Sequence, residues 1–235
     1  MSVWAARRFW TQAAVVPAPG GFAIGLDARQ VRTPRKAALI LPTAALAEAV
    51  AAEWLAQGDR VDQATMPFTR TANSAIDTVT GQFDAIVQIV ADYGGSDLLC
   101  YRAEGPEDLV VRQSDAWDPL LSWAAGSLGA PLRTTSGIVH VAQAPDSLAA
   151  LRRLVERLTP FQLAAFHDLV SLSGSLILAL ALTRRHITVD EAWRRSRIDE
   201  DWQISQWGED EEAAEVARRK HAAFLQADRF YGLCG

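Results

Sequence analysis

Apolar positions alternate along the first part of the chain; beyond residue 65 they recur every three or four places. Over the first forty residues the apolar segments are short and separated by turn formers. Arg8–Val16 alternates imperfectly and stops at Pro17-Ala18-Pro19-Gly20-Gly21. Phe22-Ala23-Ile24-Gly25-Leu26 resumes the pattern, and Asp27-Ala28 turns it. Gln30–Thr33 and Ala38–Leu41 follow, split by Pro34. These segments, with a first strand beginning near Arg7, predict a small antiparallel sheet. Strands this short need something to cover one face. The next segment supplies the cover: Pro42-Thr43 opens a helix with Thr43 as N-cap, and Leu46, Val50 and Trp54 recur at i+4 until Gly58 stops it.

The helical period then takes over. Ala72, Ile76, Val79, Phe83, Ile86, Val90 and Tyr93 form a stripe that ends at Gly94-Gly95, with Gly81 inside it as a candidate break. Such a stripe serves either as a packing face or as a seam for a partner, and packing is the expectation. Asp118-Pro119 predicts the N-cap and first position of a helix through Leu128, with Trp117 and Trp123 near its start. Ile138-Val139-His140-Val141 is a lone β-like run between turn signals. Helices are predicted over Ser147–Leu158 and from Thr159-Pro160 onward. Leu169–Leu182 carries three serines and a glycine and falls short of a bilayer span, so it reads as a buried core helix. Thr188 and Glu191 form a capping box that starts the helix bearing Trp193. The last helix is expected from near Glu209 to Arg229, with Glu215 paired to Arg218 and Arg219. The predicted fold class is α+β and predominantly helical. A small β-sheet domain with one covering helix (residues 1–64) precedes a larger all-helical domain (65–235).

Composition narrows the function classes. The net charge is 23 − 28 = −5, which argues against a general nucleic-acid binder, since that needs a basic excess. Cys100 and Cys234 are the two cysteines, too few for a disulfide framework or a cysteine-rich metal site, and a reducing compartment is the natural setting. No apolar leader is legible in MSVWAARRFWTQAAVV, and no segment reads as inserting into a membrane.

Signatures of catalysis are missing. The chain has no G-x-x-x-x-G-K-[ST] loop, no G-x-G-x-x-G and no G-x-S-x-G. Ser173-Gly174-Ser175 lies inside an apolar helical stretch and reads as a site of close helix packing. His140, His167, His186 and His221 are scattered, with no pair at ligand spacing, so neither a metal nor a cofactor is expected. Cys100 reads as a small buried hydrophobe.

Carboxylates are the one abundant reactive type. Asp199, Glu200, Asp201, Glu209, Asp210, Glu211, Glu212 and Glu215 crowd into seventeen residues, with no Lys or Arg from 199 through 217. Acids at a helix start stabilise it through the macrodipole, which accounts for Glu209–Glu212 without any function. The functional reading is a recognition patch, in which Trp202 and Trp207 supply contact area and the acids select a basic partner. A small hydrolase with an Asp or Glu general base is the rival class, and it needs a desolvated acid in a concave pocket.

Several phrases taken together carry a resemblance. They are Arg8-Phe9 with Gly25-Leu26-Asp27 and Thr33-Pro34, Glu53-Trp54 with Gln57, Met66-Pro67, Ala75-Ile76-Asp77 and Asp97-Leu98-Leu99-Cys100-Tyr101-Arg102. Gln113 with Trp117-Asp118-Pro119-Leu120, Ser173-Gly174-Ser175, Glu191-Ala192-Trp193, Trp202-Gln203 and Trp207-Gly208 complete the ordered set. From about residue 7 to 230 the chain resembles the assembly chaperones of the F-type ATP synthase, found in mitochondria and α-proteobacteria. The resemblance implies a non-enzymatic role: holding the unassembled α subunit until a β subunit replaces it, with a monomer as the expected oligomeric state. It also implies a small β-containing N-terminal domain joined to a helical one. The family's sensitive acidic position maps to Glu211, with Glu209, Asp210 and Glu212 as neighbours to which the assignment can slip. The chain begins almost at the shared region, so a bacterial cytoplasm is expected rather than a mitochondrial matrix.

Overall fold

The computed structural model describes residues 7–235. The expectation about an N-terminal leader rests partly on residues 1–6, which lie outside the described residues. Contacts divide the chain into two compact units. The first comprises Met1–Phe83, Thr159–Ala165 and Arg229–Gly235; the second comprises Asp84–Leu158 and Phe166–Asp228. The sequence reading places a single cut after residue 64. Phe68, Ala72, Ala165 and Phe230 all enter the hydrophobic core around the sheet, which is why the first unit gathers separate stretches of chain.

In the first unit, strands β1 (Ala13–Ala18) and β2 (Gly21–Leu26) form a hairpin in which Ala18 faces Gly21 and Ala13 faces Leu26. Strands β3 (Arg29–Gln30) and β4 (Ile40–Leu41) both pair antiparallel with β2. The first strand begins at Ala13 rather than near Arg7, which makes only an isolated bridge to Arg60. Gly21 has φ +151°, and a Cβ there would sit 2.1 Å from the Leu41 carbonyl oxygen, so the approach of β4 requires glycine. Helix α1 (Ala44–Leu55) covers the sheet. Its N-cap Thr43 accepts the Leu46 N–H at 3.1 Å, and Leu46, Ala47 and Val50 are fully buried with Ile24, Leu39 and Leu41.

Helix α2 (Pro67–Ser74) begins where Glu53 reaches it. The carboxylate accepts the N–H groups of Phe68 and Thr69 at 2.7 and 2.8 Å and the Thr69 hydroxyl at 2.7 Å. Burial pushes the Glu53 carboxyl up, against those hydrogen bonds. Replacing Glu53 with Ala leaves these donors without their acceptor at a half-buried helix start. A loss of about 1–3 kcal/mol is expected, readable as a lower denaturant midpoint at unchanged slope. The stripe expected over 72–93 is a packing face, with Ala72, Val79 and Val90 buried and Ile76, Phe83, Ile86 and Tyr93 half-buried. It is interrupted by a wide π turn over Ala75–Val79 and a tight turn over Thr80–Gln82.

The second unit is helical around α7 (Leu176–Thr183), in which Leu176 through Leu182 are all buried. Its other helices are α3 (Phe83–Asp92), α4 (Glu107–Leu128), α5 (Pro145–Val155), α8 (Val189–Ser196) and α9 (Ile198–Trp207), with the parts of α6 (Pro160–Ser173) and α10 (Glu211–Leu233) that fall within residues 166–228. Strands β5 (Tyr101–Arg102) and β6 (Thr135–Ser136) make a small parallel pair.

Two helix expectations are corrected. Asp118-Pro119 does not start a helix: α4 begins eleven residues earlier, at Glu107, and carries Pro119 inside it. Asp115 and Pro119 both lie on the exposed face, so water can take the carbonyl that proline leaves free. The Leu169–Leu182 run is two helices rather than one. Gly174, at φ +71°, ends α6, and Ser175 caps α7 by accepting the Leu178 N–H at 3.0 Å. The capping box at Thr188 and Glu191 is present as expected, as are the Glu215 pairs with Arg218 and Arg219 at 2.8 and 4.0 Å. Among the described residues no helix is long and apolar enough to cross a membrane.

Candidate partner-binding site

The acidic segment forms the tip of a two-helix hairpin in the second unit. Helix α8 carries Trp193, which stacks on His221 of α10 at 4.9 Å and meets Phe224 at 5.7 Å. The Arg197 guanidinium lies over the same indole. This aromatic group fixes α10 beside α8 and α9. Beyond it the packing thins, and every residue from 203 to 213 is exposed. Gly208, at φ +87°, ends α9 and lets the chain reverse. Asp210 then caps α10, its carboxylate accepting the Ala213 N–H at 2.8 Å.

Between α9 and α10 lies a groove of about 500 Å³. Ile204, Trp207, Ala213 and Ala217 supply apolar lining, and its charged lining is mixed: Glu200, Asp201, Glu209 and Asp210 with Arg197 and Arg218. Trp207 is 78% exposed, so its indole stands at the surface with its apolar faces in water.

The eight clustered acids have different tasks. Asp199 accepts the Gln113 amide at 2.6 Å, Glu200 pairs with Arg197 at 2.6 Å, and Glu215 pairs with Arg218. Asp201 has its carboxyl pushed up by burial, opposed by Arg197. Asp210 is a cap. Glu209, Glu211 and Glu212 have no hydrogen bond or ion pair to another described residue, and Glu211 and Glu212 sit in the first turn of α10, where the macrodipole favours them.

Of the six residues expected to touch a partner, the structure brings Trp207, Glu209, Asp210, Glu211 and Glu212 together at the tip. Trp202 is a correction. It is 8% exposed, and the Arg112 guanidinium covers its ring at 4.9 Å, so it is a packing residue. Five positions along a helix turn about 140°, which puts Trp202 and Trp207 on different faces. The groove walls Ile204, Ala213 and Ala217 escaped the sequence reading. The one local signal was the i, i+3 spacing of Ile204 and Trp207.

Among the described residues no group of His, Cys, Asp and Glu could hold a metal ion. Both cysteines are buried, and burial pushes their thiols up to about 12, which makes them poor nucleophiles.

The profile of the ATP12 chaperone protein family matches residues 7–125. The chain belongs to the ATP12 chaperone family. It is therefore an assembly chaperone for ATP synthase and not an enzyme, which removes the hydrolase alternative. The crystal structure of Atp12 from Paracoccus denitrificans is 50% identical, with a TM-score of 0.95 over 98% of this chain and 99% of that one. An Asp-to-Lys mutant of P. denitrificans Atp12p, also 50% identical, superposes with a TM-score of 0.96 over 100% of both chains. Protein atp12, mitochondrial, of Schizosaccharomyces pombe is 26% identical over 224 residues, covering 89% of this chain and 76% of that protein. The α9–α10 tip lies beyond the segment matched by the ATP12 profile, so its assignment rests on its geometry.

Proposed function

We propose that this ATP12-family chaperone holds the unassembled α subunit of F-type ATP synthase through the α9–α10 tip until a β subunit displaces it. The observation that carries this reading is Trp207, 78% exposed beside an open groove and flanked by acids that no other described residue engages. A free synthase subunit exposes apolar surface that assembly later covers, and such patches aggregate. Trp207 and the groove offer apolar contact to that surface. Glu209, Glu211 and Glu212 offer a negative rim that speeds encounter with a basic segment and sets its register. The tip is small beside a subunit–subunit interface, so a β subunit with a larger matching surface can replace it. On this reading the working unit is a monomer, because a second copy on the tip would compete with the client. The proposed setting is the cytoplasm of a bacterium, where the synthase subunits are made.

The test is charge reversal at the rim. Glu211→Lys is expected to weaken binding of purified α subunit about five- to fiftyfold, mainly through a slower on-rate, with an unchanged melting temperature. The wild-type loss of affinity with added salt should also become shallower. Equal binding by wild type and variant across ionic strength would remove Glu211 from the site. Failure of the wild-type protein to bind the α subunit or to suppress its aggregation would remove the function itself.

A further inference from the structure

Two helical stripes line the groove at the tip. Helix α9 contributes Asp201, Ile204 and Trp207, three residues apart from one to the next, and α10 contributes Ala213, Ala217 and His221. Both arginines in the lining are already engaged. Arg197 pairs with Glu200 at 2.6 Å and lies over the Trp193 ring, and Arg218 pairs with Glu215 at 2.8 Å. The acids Asp201 and Glu209 have no such partner: neither carboxylate has a hydrogen bond or ion pair to another described residue. Arg197 acts on Asp201 only at longer range, and burial already pushes that carboxyl up. The charge left uncompensated in the groove is therefore negative.

The spacing of the lining sets the shape of what fits. Asp201 and Trp207 stand about 9 Å apart along the α9 axis, with Ile204 between them. An occupant that touches both must be long, apolar along its stem and positively charged at its end. A volume of about 500 Å³ has room for a side chain or two, with the backbone of the occupant left outside. Away from the tip the groove is lined by His221, whose Nε2 is buried with no hydrogen-bond partner among the described residues. Buried nitrogens without a partner are uncommon in folded proteins, and this one leaves a polar contact for an occupant to complete. A guanidinium meets these demands better than an ammonium. Its planar face stacks on an indole, and its five N–H groups can serve a carboxylate and a second acceptor together.

We propose that the groove takes one arginine side chain of the client, its stem along Trp207 and Ile204 and its guanidinium on the Asp201 carboxylate. The inference rests on the tip reading above and names the group that the tip recognises. With its own proton on Nδ1, the His221 ring accepts a further N–H from the same guanidinium. Charge in the groove then acts at a different stage from charge at the rim. Glu211 and Glu212 stand in water and speed encounter. The Asp201 pair is closed off from water once the client is seated, so it slows release.

Two measurements on the full-length chain test the arginine site. The first follows dissociation of purified α subunit. Asp201→Asn keeps the shape of the side chain and removes its charge. It should release α subunit about thirtyfold faster or more, with association within about twofold of wild type and melting within about 3 °C. The second titrates N-acetyl-arginine amide at millimolar concentration and follows the Trp207 indole N–H by NMR, the signal being assigned by its loss in Trp207→Ala. That signal should move in the wild type and stay in place in Asp201→Asn, and N-acetyl-norleucine amide should leave it unmoved. A wild-type release rate in Asp201→Asn would overturn the arginine site while leaving the chaperone reading intact. Equal responses to the arginine and norleucine amides would overturn it in favour of a purely apolar contact. A chain that responds to the arginine amide but does not bind α subunit would remove that subunit as the client and leave the arginine site standing.

Discussion

Asp97→Ala is expected to cost about 3–5 kcal/mol, a large part of the stability of an ordinary domain. Asp97 is fully buried. One carboxylate oxygen accepts the Leu99 N–H at 3.1 Å and the Ser175 hydroxyl at 2.7 Å; the other accepts the Ile177 N–H at 3.0 Å. It therefore ties the start of α7, the central helix of the second unit, to the turn before β5. Alanine would leave three donors orphaned in a space that water cannot readily fill. Burial pushes the Asp97 carboxyl up to about 6, against the hydrogen bonds from Ile177, Ser175 and Leu99. In the unfolded chain the same carboxyl titrates near its ordinary 3.8. Between those values the folded state keeps a proton that the unfolded chain has lost. Unfolding there releases a proton, so raising the pH favours unfolding. The Asp97 contribution is complete below about pH 4 and declines by about 3 kcal/mol as pH passes 6. Asp97→Asn cannot titrate, so the stability difference between wild type and this variant should narrow over that window. Denaturant melts at a series of pH values give the result, and parallel curves would show that Asp97 does not titrate there.

Asp97 also explains why parts of this fold were legible and parts were not. The hairpin, α1 and the Thr188 capping box are written in local signals: a period of two, a turn former, a cap three residues from its donor. Several of the phrases that marked the family are different, because they meet across long separations. Asp97 joins Ser175; Glu53 caps the helix that follows Met66-Pro67; the Thr33 hydroxyl donates to the Asp77 carboxylate at 2.6 Å; the Trp117 indole N–H donates to the Arg195 carbonyl at 2.8 Å. Each of these four contacts is at least partly buried, and one half does not disclose its partner. The misread helices have a local cause. Pro119 carries the residue chemistry of a helix start, but its exposed position makes the missing hydrogen bond cheap. Gly174 sits in an apolar run buried on both sides, so the break at φ +71° leaves the hydropathy pattern unchanged. At the candidate site, charge clustering marked the α9–α10 turn as a segment to inspect, but composition could not tell the buried Trp202 from the exposed Trp207.

On the proposed reading, those tryptophans separate binding from folding within a single ten-residue helix. Trp207→Ala is expected to weaken α-subunit binding by about 2–4 kcal/mol, roughly thirty- to a thousandfold, as loss of a central aromatic anchor does. Its effect on stability should stay within about 0.5 kcal/mol, because the indole is mostly in water already. Trp202→Ala should do the reverse. It removes a buried ring from beneath Arg112 and should cost about 3–5 kcal/mol of stability. Binding by the fraction that remains folded should be close to wild type. Affinity and thermal melts measured on both variants give a two-by-two comparison. A Trp207→Ala protein that binds with wild-type affinity would leave the acids without an apolar anchor to orient. The tip would then be a solvated helix start, and the client would have to be held elsewhere on the molecule.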